Sequence, residues 1–72
     1  MALPAISGER AVRAFLQAGW SRDRQVGSHM ILVKKGNAAV LSVPLHRELA
    51  PGTLRALIRT SGMSIQQFQS YL

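Results

Sequence analysis

Apolar positions in the first quarter of the chain recur with the period of a helix. Ala11, Val12, Phe15 and Leu16 form one stripe, Ala18 extends it, and Arg10, Arg13 and Gln17 cover the polar side. Ser7 stands at an N-cap position with Glu9 in the first turn, and Gly19 stands where such a helix stops. The pattern predicts an amphipathic helix over residues 8–18, with Glu9 and Arg13 spaced to pair along its surface. The period then changes to two. Residues 20–26 alternate, but Arg22 and Arg24 share the parity of Trp20 and spoil a clean core face, as in a short charged strand at a sheet edge. Gly27-Ser28 reads as a turn. Residues 29–35 are the most apolar stretch, carry β-branched Ile31 and Val33, and read as a central strand. Gly36-Asn37 is a hairpin signal, and residues 38–43 form a third strand closed by Pro44, which has no N–H for a ladder.

Residues 45–50 mix polarities and read as a loop. Pro51-Gly52-Thr53 opens a second helix with Leu54, Leu57 and Ile58 as its apolar stripe, Arg55 and Arg59 on another face, and Gly62 at its end. Ser64-x-x-Gln67 is a capping-box pattern, and Met63 and Phe68 occupy the staple positions, so a short last helix is expected through Leu72. The order predicts one α+β domain over residues 1–72: a three-stranded antiparallel sheet with helices on one face. Trp20, just after a helix stop, is expected in its core. Met30, Leu32, Leu41 and Val43 are more than one packed face needs, which leaves apolar surface for a partner.

Charge sharpens this picture. Nine basic residues against three acidic ones give a formal net charge of +6 in 72 residues. Such a balance favours a polyanionic partner, whether nucleic acid, an anionic membrane surface or an acidic protein; the alternative is simple solubility. With no cysteine there is neither a disulfide framework nor a thiolate zinc site, which fits a reducing, cytoplasmic setting. No apolar run approaches the roughly 20 residues that span a bilayer. The stretch from Met1 to Ile6 lacks the basic region and apolar length of a signal peptide.

The chemistry narrows by elimination. Glu9, Asp23 and Glu48 are scattered over three predicted elements, so no carboxylate pair and no two-metal site is expected. Two histidines and three acids make a poor ligand set for any metal, and there is no P-loop or dinucleotide fingerprint. No cofactor is implied. What remains is histidine among cations, which suits metal-independent RNA cleavage: a base takes the 2′-OH proton, an acid protonates the departing 5′-oxygen, and cations stabilise the phosphorane. Histidine exchanges protons near neutral pH, and the chain holds His29 and His46. His29 follows the Gly27-Ser28 turn, whose N–H groups can hold a phosphate oxygen, and Arg22, Arg24, Lys34 and Lys35 share its hairpin. His46 with Arg47 lies close to a helix N-terminus, an anion-friendly setting. Against these readings, His29 can be a strand-start residue bonded to the turn, and His46 can serve only to order its loop.

The ordered series Leu16-x-x-Gly19-Trp20, Gly27-Ser28-His29, Val43-Pro44-x-His46 and Glu48-Leu49-x-x-Gly52-Thr53-Leu54-Arg55-x-Leu57-Ile58 resembles the HicA family. HicA proteins are small toxins of bacterial and archaeal toxin–antitoxin pairs. The tail from Ser64 to Phe68 is similar to an extension found in many members. The resemblance implies a double-stranded-RNA-binding-domain-like fold, α-β-β-β-α, here with a short extra C-terminal helix. It also implies a type II toxin that cleaves mRNA and is blocked by a HicB-type antitoxin covering the active site. The family's catalytic histidine falls on His29, and Gly27, Ser28, Arg22, Arg24, Lys34, Lys35, His46 and Arg47 become the expected RNA contacts. Met30 stands where relatives often carry an aromatic residue or a second histidine. A non-catalytic RNA-binding module using the same basic face is the runner-up, and a protein-interaction domain for an acidic partner is a third reading.

Overall fold

The computed structural model of the chain describes residues 3–72; Met1 and Ala2, part of the stretch tested for a signal peptide, lie outside the described residues. Six elements follow one another: α1 (Gly8–Gln17), β1 (Ser21–Val26), β2 (His29–Lys34), β3 (Asn37–Pro44), α2 (Pro51–Ser61) and α3 (Ile65–Gln69). The strands form one antiparallel sheet in the order β1-β2-β3, so the apolar β2 is central and the charged β1 lies at an edge. This is the α+β layout expected from the sequence, with the extra C-terminal helix.

The helices end where their local chemistry ends them. The Ser7 hydroxyl accepts the Arg10 N–H at 3.1 Å and caps α1. At the other end Gly19 adopts φ +103°, the Gly19 N–H donates to Leu16 O, and the Trp20 N–H donates to Phe15 O. Those two bonds make a Schellman closure, which delivers Trp20 back onto the helix and into the core at 3% exposure. Ser64 and Gln67 cap α3 reciprocally. This helix stops at Gln69 rather than reaching Leu72, because the Ser70 hydroxyl donates to Gln67 O and competes with the helical ladder.

Leu32, Leu41 and Val43 point from the sheet into a core closed by Ala11, Val12 and Phe15 of α1 and by Leu54, Leu57 and Ile58 of α2. Phe68 of α3 is fully buried against Phe15, with ring centres 5.0 Å apart. Burying one such aromatic side chain is worth about 2–3 kcal/mol, so α3 seals the core although it is only five residues long. Met30 packs on the same side. The surplus apolar surface therefore does not come from Met30, Leu32, Leu41 or Val43. It comes from the opposite face of the sheet, where Val26 and Val40 are 54% and 53% exposed and Ile31 and Val33 are half-buried.

The two hairpins carry small departures from the sequence pattern. The register shifts between Arg22 and Arg24, so Arg22 lies opposite Leu32 on the helix side and Arg24 opposite Ile31 on the outer side. A bulge at Asp23 thus resolves the mixed parity of β1. Arg22 reaches Glu9 of α1 at 3.2 Å, and this cross-element pair replaces the expected Glu9–Arg13 pair within the helix. The second turn is Lys35-Gly36, one residue earlier than expected. Asn37 already belongs to β3, and its Oδ1 accepts the Ala39 N–H at 2.9 Å.

Lys34 also turns to the helix side. Its Nζ donates to Ala18 O at 3.3 Å and stands 6.0 Å from the centre of the Trp20 ring. Helix α1 has no basic residue in its last turn, so a lysine from β2 neutralises its negative end. Lys34→Met keeps the stem but removes the charge, and it is expected to cost about 1 kcal/mol in urea unfolding. An unchanged midpoint would show the contact to be energetically idle.

Candidate functional site

The site is assembled where three segments meet. The first is the β1–β2 turn, in which Gly27 takes φ +59° at the first turn position and the strands on either side pair from Val26 and His29 onward. No heavy atom lies within 4 Å of where a Gly27 Cβ would stand, so the turn backbone is open to an approaching group. Ser28 is exposed beside it. His29 opens β2, half-buried on the outer face between Val26 of β1 and Pro44 of β3, its direct cross-strand neighbours.

The second segment is the exit from β3. The Leu45 N–H donates to Ser28 O at 2.7 Å, which carries the chain past Pro44 while still tied to the turn. His46 follows on the surface. Its ring centre lies 6.4 Å from that of His29, with the planes at 67°. The third segment is the start of α1: the Gly8 N–H donates to His46 O at 2.9 Å, and the Leu49 N–H donates to Ile6 O at 2.8 Å. The β1–β2 turn and the segment that enters α1 thus hold the loop that bears His46.

Gly8 makes that junction possible. A Cβ on Gly8 would lie 1.9 Å from Pro44 O and 2.9 Å from Leu45 Cα. Only a residue without a side chain lets the first turn of α1 press on the backbone between the two histidines. Sequence reading placed Gly8 merely as the start of a helix. The available signal was a buried-type helix start with glycine directly after the Ser7 cap, which marks a close approach only once the partner backbone is known.

The cations separate into two sets. Arg24 is the diagonal cross-strand neighbour of His29 on the outer face, where it is ion-paired with Asp23. Arg47 follows His46 and is exposed. Arg22 and Lys34 face the helices, engaged with Glu9 and with Ala18 O and Trp20 respectively. Lys35 is exposed at the far end of β2, roughly 20 Å from His29 at about 3.3 Å per residue. The two histidines, Gly27, Ser28, Arg24 and Arg47 form one locality, whereas Arg22, Lys34 and Lys35 lie apart from it. Among the described residues, no three His, Cys, Asp or Glu side chains come together as a metal site would require.

A family model described as the HicA toxin of bacterial toxin–antitoxin pairs matches residues 8–63. The chain belongs to the HicA toxin family. It is therefore a toxin of a toxin–antitoxin system, made to act with an antitoxin partner. The matched span begins at Gly8 and takes in the turn, both histidines and α2, so the whole locality lies within the HicA region. No curated relative matches the chain. Among the described residues, no helix is long and apolar enough to cross a membrane.

Proposed function

We propose that this HicA protein is a metal-independent endoribonuclease that cleaves mRNA in the cytoplasm with His29 as its catalytic residue. The observation that supports it most is His29 itself. It is a half-buried imidazole at the mouth of β2, beside an open glycine turn and with a second imidazole 6.4 Å away, in a chain of a toxin family. The turn's N–H groups and the Ser28 hydroxyl hold a non-bridging phosphate oxygen, and Arg24 and Arg47 offset the charge that builds on the phosphorane. Lys35 binds a phosphate farther along the strand. Arg22 and Lys34 raise the positive potential from the other face of the sheet without touching the reacting phosphate.

The antitoxin, of the HicB type, covers this site. The outer face beside His29 offers it Val26, Ile31, Val33 and Val40, and the net charge of +6 favours an acidic partner.

The test is to incubate the purified protein and its His29→Ala variant with RNA in excess EDTA. Cutting by the parent, lost in the variant, is the expected result. RNA binding by both without cutting by either would replace the enzyme with a non-catalytic RNA-binding module. Growth arrest on expression, relieved by co-expressing an adjacent small acidic partner, tests the toxin–antitoxin pairing separately.

A further inference from the structure

We propose that His46 is a second catalytic residue, the imidazole that completes an acid–base pair with His29 across one RNA phosphate. The inference rests on the endoribonuclease reading above. In that reaction the 2′-oxygen gives up its proton to a base and bonds to phosphorus. The bond from phosphorus to the 5′-oxygen breaks, and that oxygen takes a proton from an acid. The products are a 2′,3′-cyclic phosphate and a free 5′-hydroxyl, and no water or metal enters the balance. The attacking and leaving oxygens stand on opposite sides of phosphorus, so one imidazole in a fixed place serves only one of them.

The fold supplies a second proton-exchanging group and little else that qualifies. Among the carboxylates, Glu9 is committed to Arg22 on the helix side and Asp23 to Arg24. Glu48 lines a small cleft with Pro4, Leu49 and Pro51. Tyr71 lies beside Arg10 and Arg13 of α1, where it lines a separate groove. His46 alone is brought beside His29. At 6.4 Å between centres the rings are too far apart to hydrogen-bond each other, yet close enough to flank one phosphate, each within a hydrogen bond of about 2.6–3.2 Å of its own oxygen. Among the described residues neither ring bonds a protein group, and neither is ion-paired to a carboxylate. Both are open to a ligand.

Position adds to this. The His46 carbonyl accepts from Gly8, the Leu45 N–H is tied to Ser28, and Gly8 has no room for a side chain because its neighbour backbone is pressed so close. These restraints fix the backbone that carries His46 relative to the turn that carries His29. The charged groups on the surrounding segments are Arg22 and the Asp23–Arg24 pair of β1, Glu9 (bonded to Arg22) and Arg10 at the start of α1, and Arg47 and Glu48 in the loop itself. The cations among them favour phosphate binding between the rings.

The experiment compares the parent, His46→Ala, His46→Gln and His29→Ala in single-turnover cleavage across pH, on ordinary RNA and on RNA whose scissile 5′-oxygen is replaced by sulfur. A thiolate leaves without needing an acid. For the parent a bell-shaped pH profile is expected. Both His46 variants are expected to lose 10²–10⁴-fold in rate with unchanged melting temperature and to retain only one limb of the bell, the magnitude of a missing general acid or base. The sulfur substrate should restore one histidine variant and not the other, which assigns acid and base. Cleavage by the His46 variants at the parent rate overturns the inference. So does a slower rate with the full bell retained, since His46 would then only shape the site. A parent that cuts no RNA overturns the endoribonuclease reading itself, and the pair with it; a parent that cuts while the His46 variants keep pace overturns the pair alone.

Discussion

Replacing His29 with alanine is expected to lower RNA cleavage about 10³-fold, the middle of the range for loss of a proton-transfer group. The same variant should melt within about 3 °C of the parent, because a half-buried strand side chain that makes no hydrogen bond to the protein contributes only a few tenths of a kcal/mol. Its ring bonds no protein group among the described residues, so truncation orphans no buried donor or acceptor. Its strand neighbours Val26 and Pro44 are apolar, and the adjacent Gln25–Met30 and Met30–Val43 pairs keep the register. RNA affinity should hardly change either, since the cations at Arg24, Arg47 and Lys35 are untouched and dominate the phosphate attraction. The decisive measurement is cleavage in EDTA alongside filter binding of the same RNA. A variant retaining more than a tenth of the parent rate would remove His29 from the chemistry.

The helices were legible because their signals are local. Ser7, Gly19, Gly62 and the Ser64–Gln67 pair each act within one turn, and all of them do in the fold what their types suggest. The strands were legible in order but not in detail. A bulge at Asp23 depends on which residue of β2 faces it, and no count along β1 alone reveals that. This is why Arg22 and Arg24, adjacent in parity, end on opposite faces. Of those two only Arg24 stays near His29, while Lys34 turns to the helices by ordinary alternation along β2 and Lys35 lies at its far end. The site followed the same division. His29 was visible as a histidine after a glycine turn, whereas its approach to His46 is tertiary. That approach depends on the backbone bonds of Leu45 to Ser28 and of Gly8 to His46, between segments far apart in sequence. The apolar outer face was anticipated as a quantity but assigned to other residues, since the alternation in β2 does not say which parity the helices cover. Leu32 and Leu41 point inward, and Val26 and Val40 point out.

Gly8→Ala is expected to destabilise the protein by about 3 kcal/mol, although alanine in a helix normally gains 0.5–1 kcal/mol over glycine. The clash decides the sign. The added carbon would stand 1.9 Å from Pro44 O and 2.8 Å from its carbonyl carbon, and both are backbone atoms, with no flexible side chain to swing aside. Either α1 lifts from the end of β3 or the chain between Pro44 and His46 moves, and in both cases the Gly8 N–H bond to His46 O is strained. At roughly 0.05–0.15 kcal/mol per residue a domain of this length holds about 4–11 kcal/mol in all, so the loss is a large share. In thermal terms it corresponds to about 12–24 °C. Gly52→Ala is the matched comparison. It also sits in a first helical turn, in α2, but has open space around its missing Cβ, and it is expected to gain about 0.5 kcal/mol. Thermal melts of the two variants in the same buffer test the contrast, and a Gly8→Ala protein as stable as Gly52→Ala would mean that the junction yields easily. The same displacement moves His46 relative to His29. Gly8→Ala is therefore expected to cut more slowly than the parent even at temperatures where it remains fully folded, whereas Gly52→Ala keeps the parent rate.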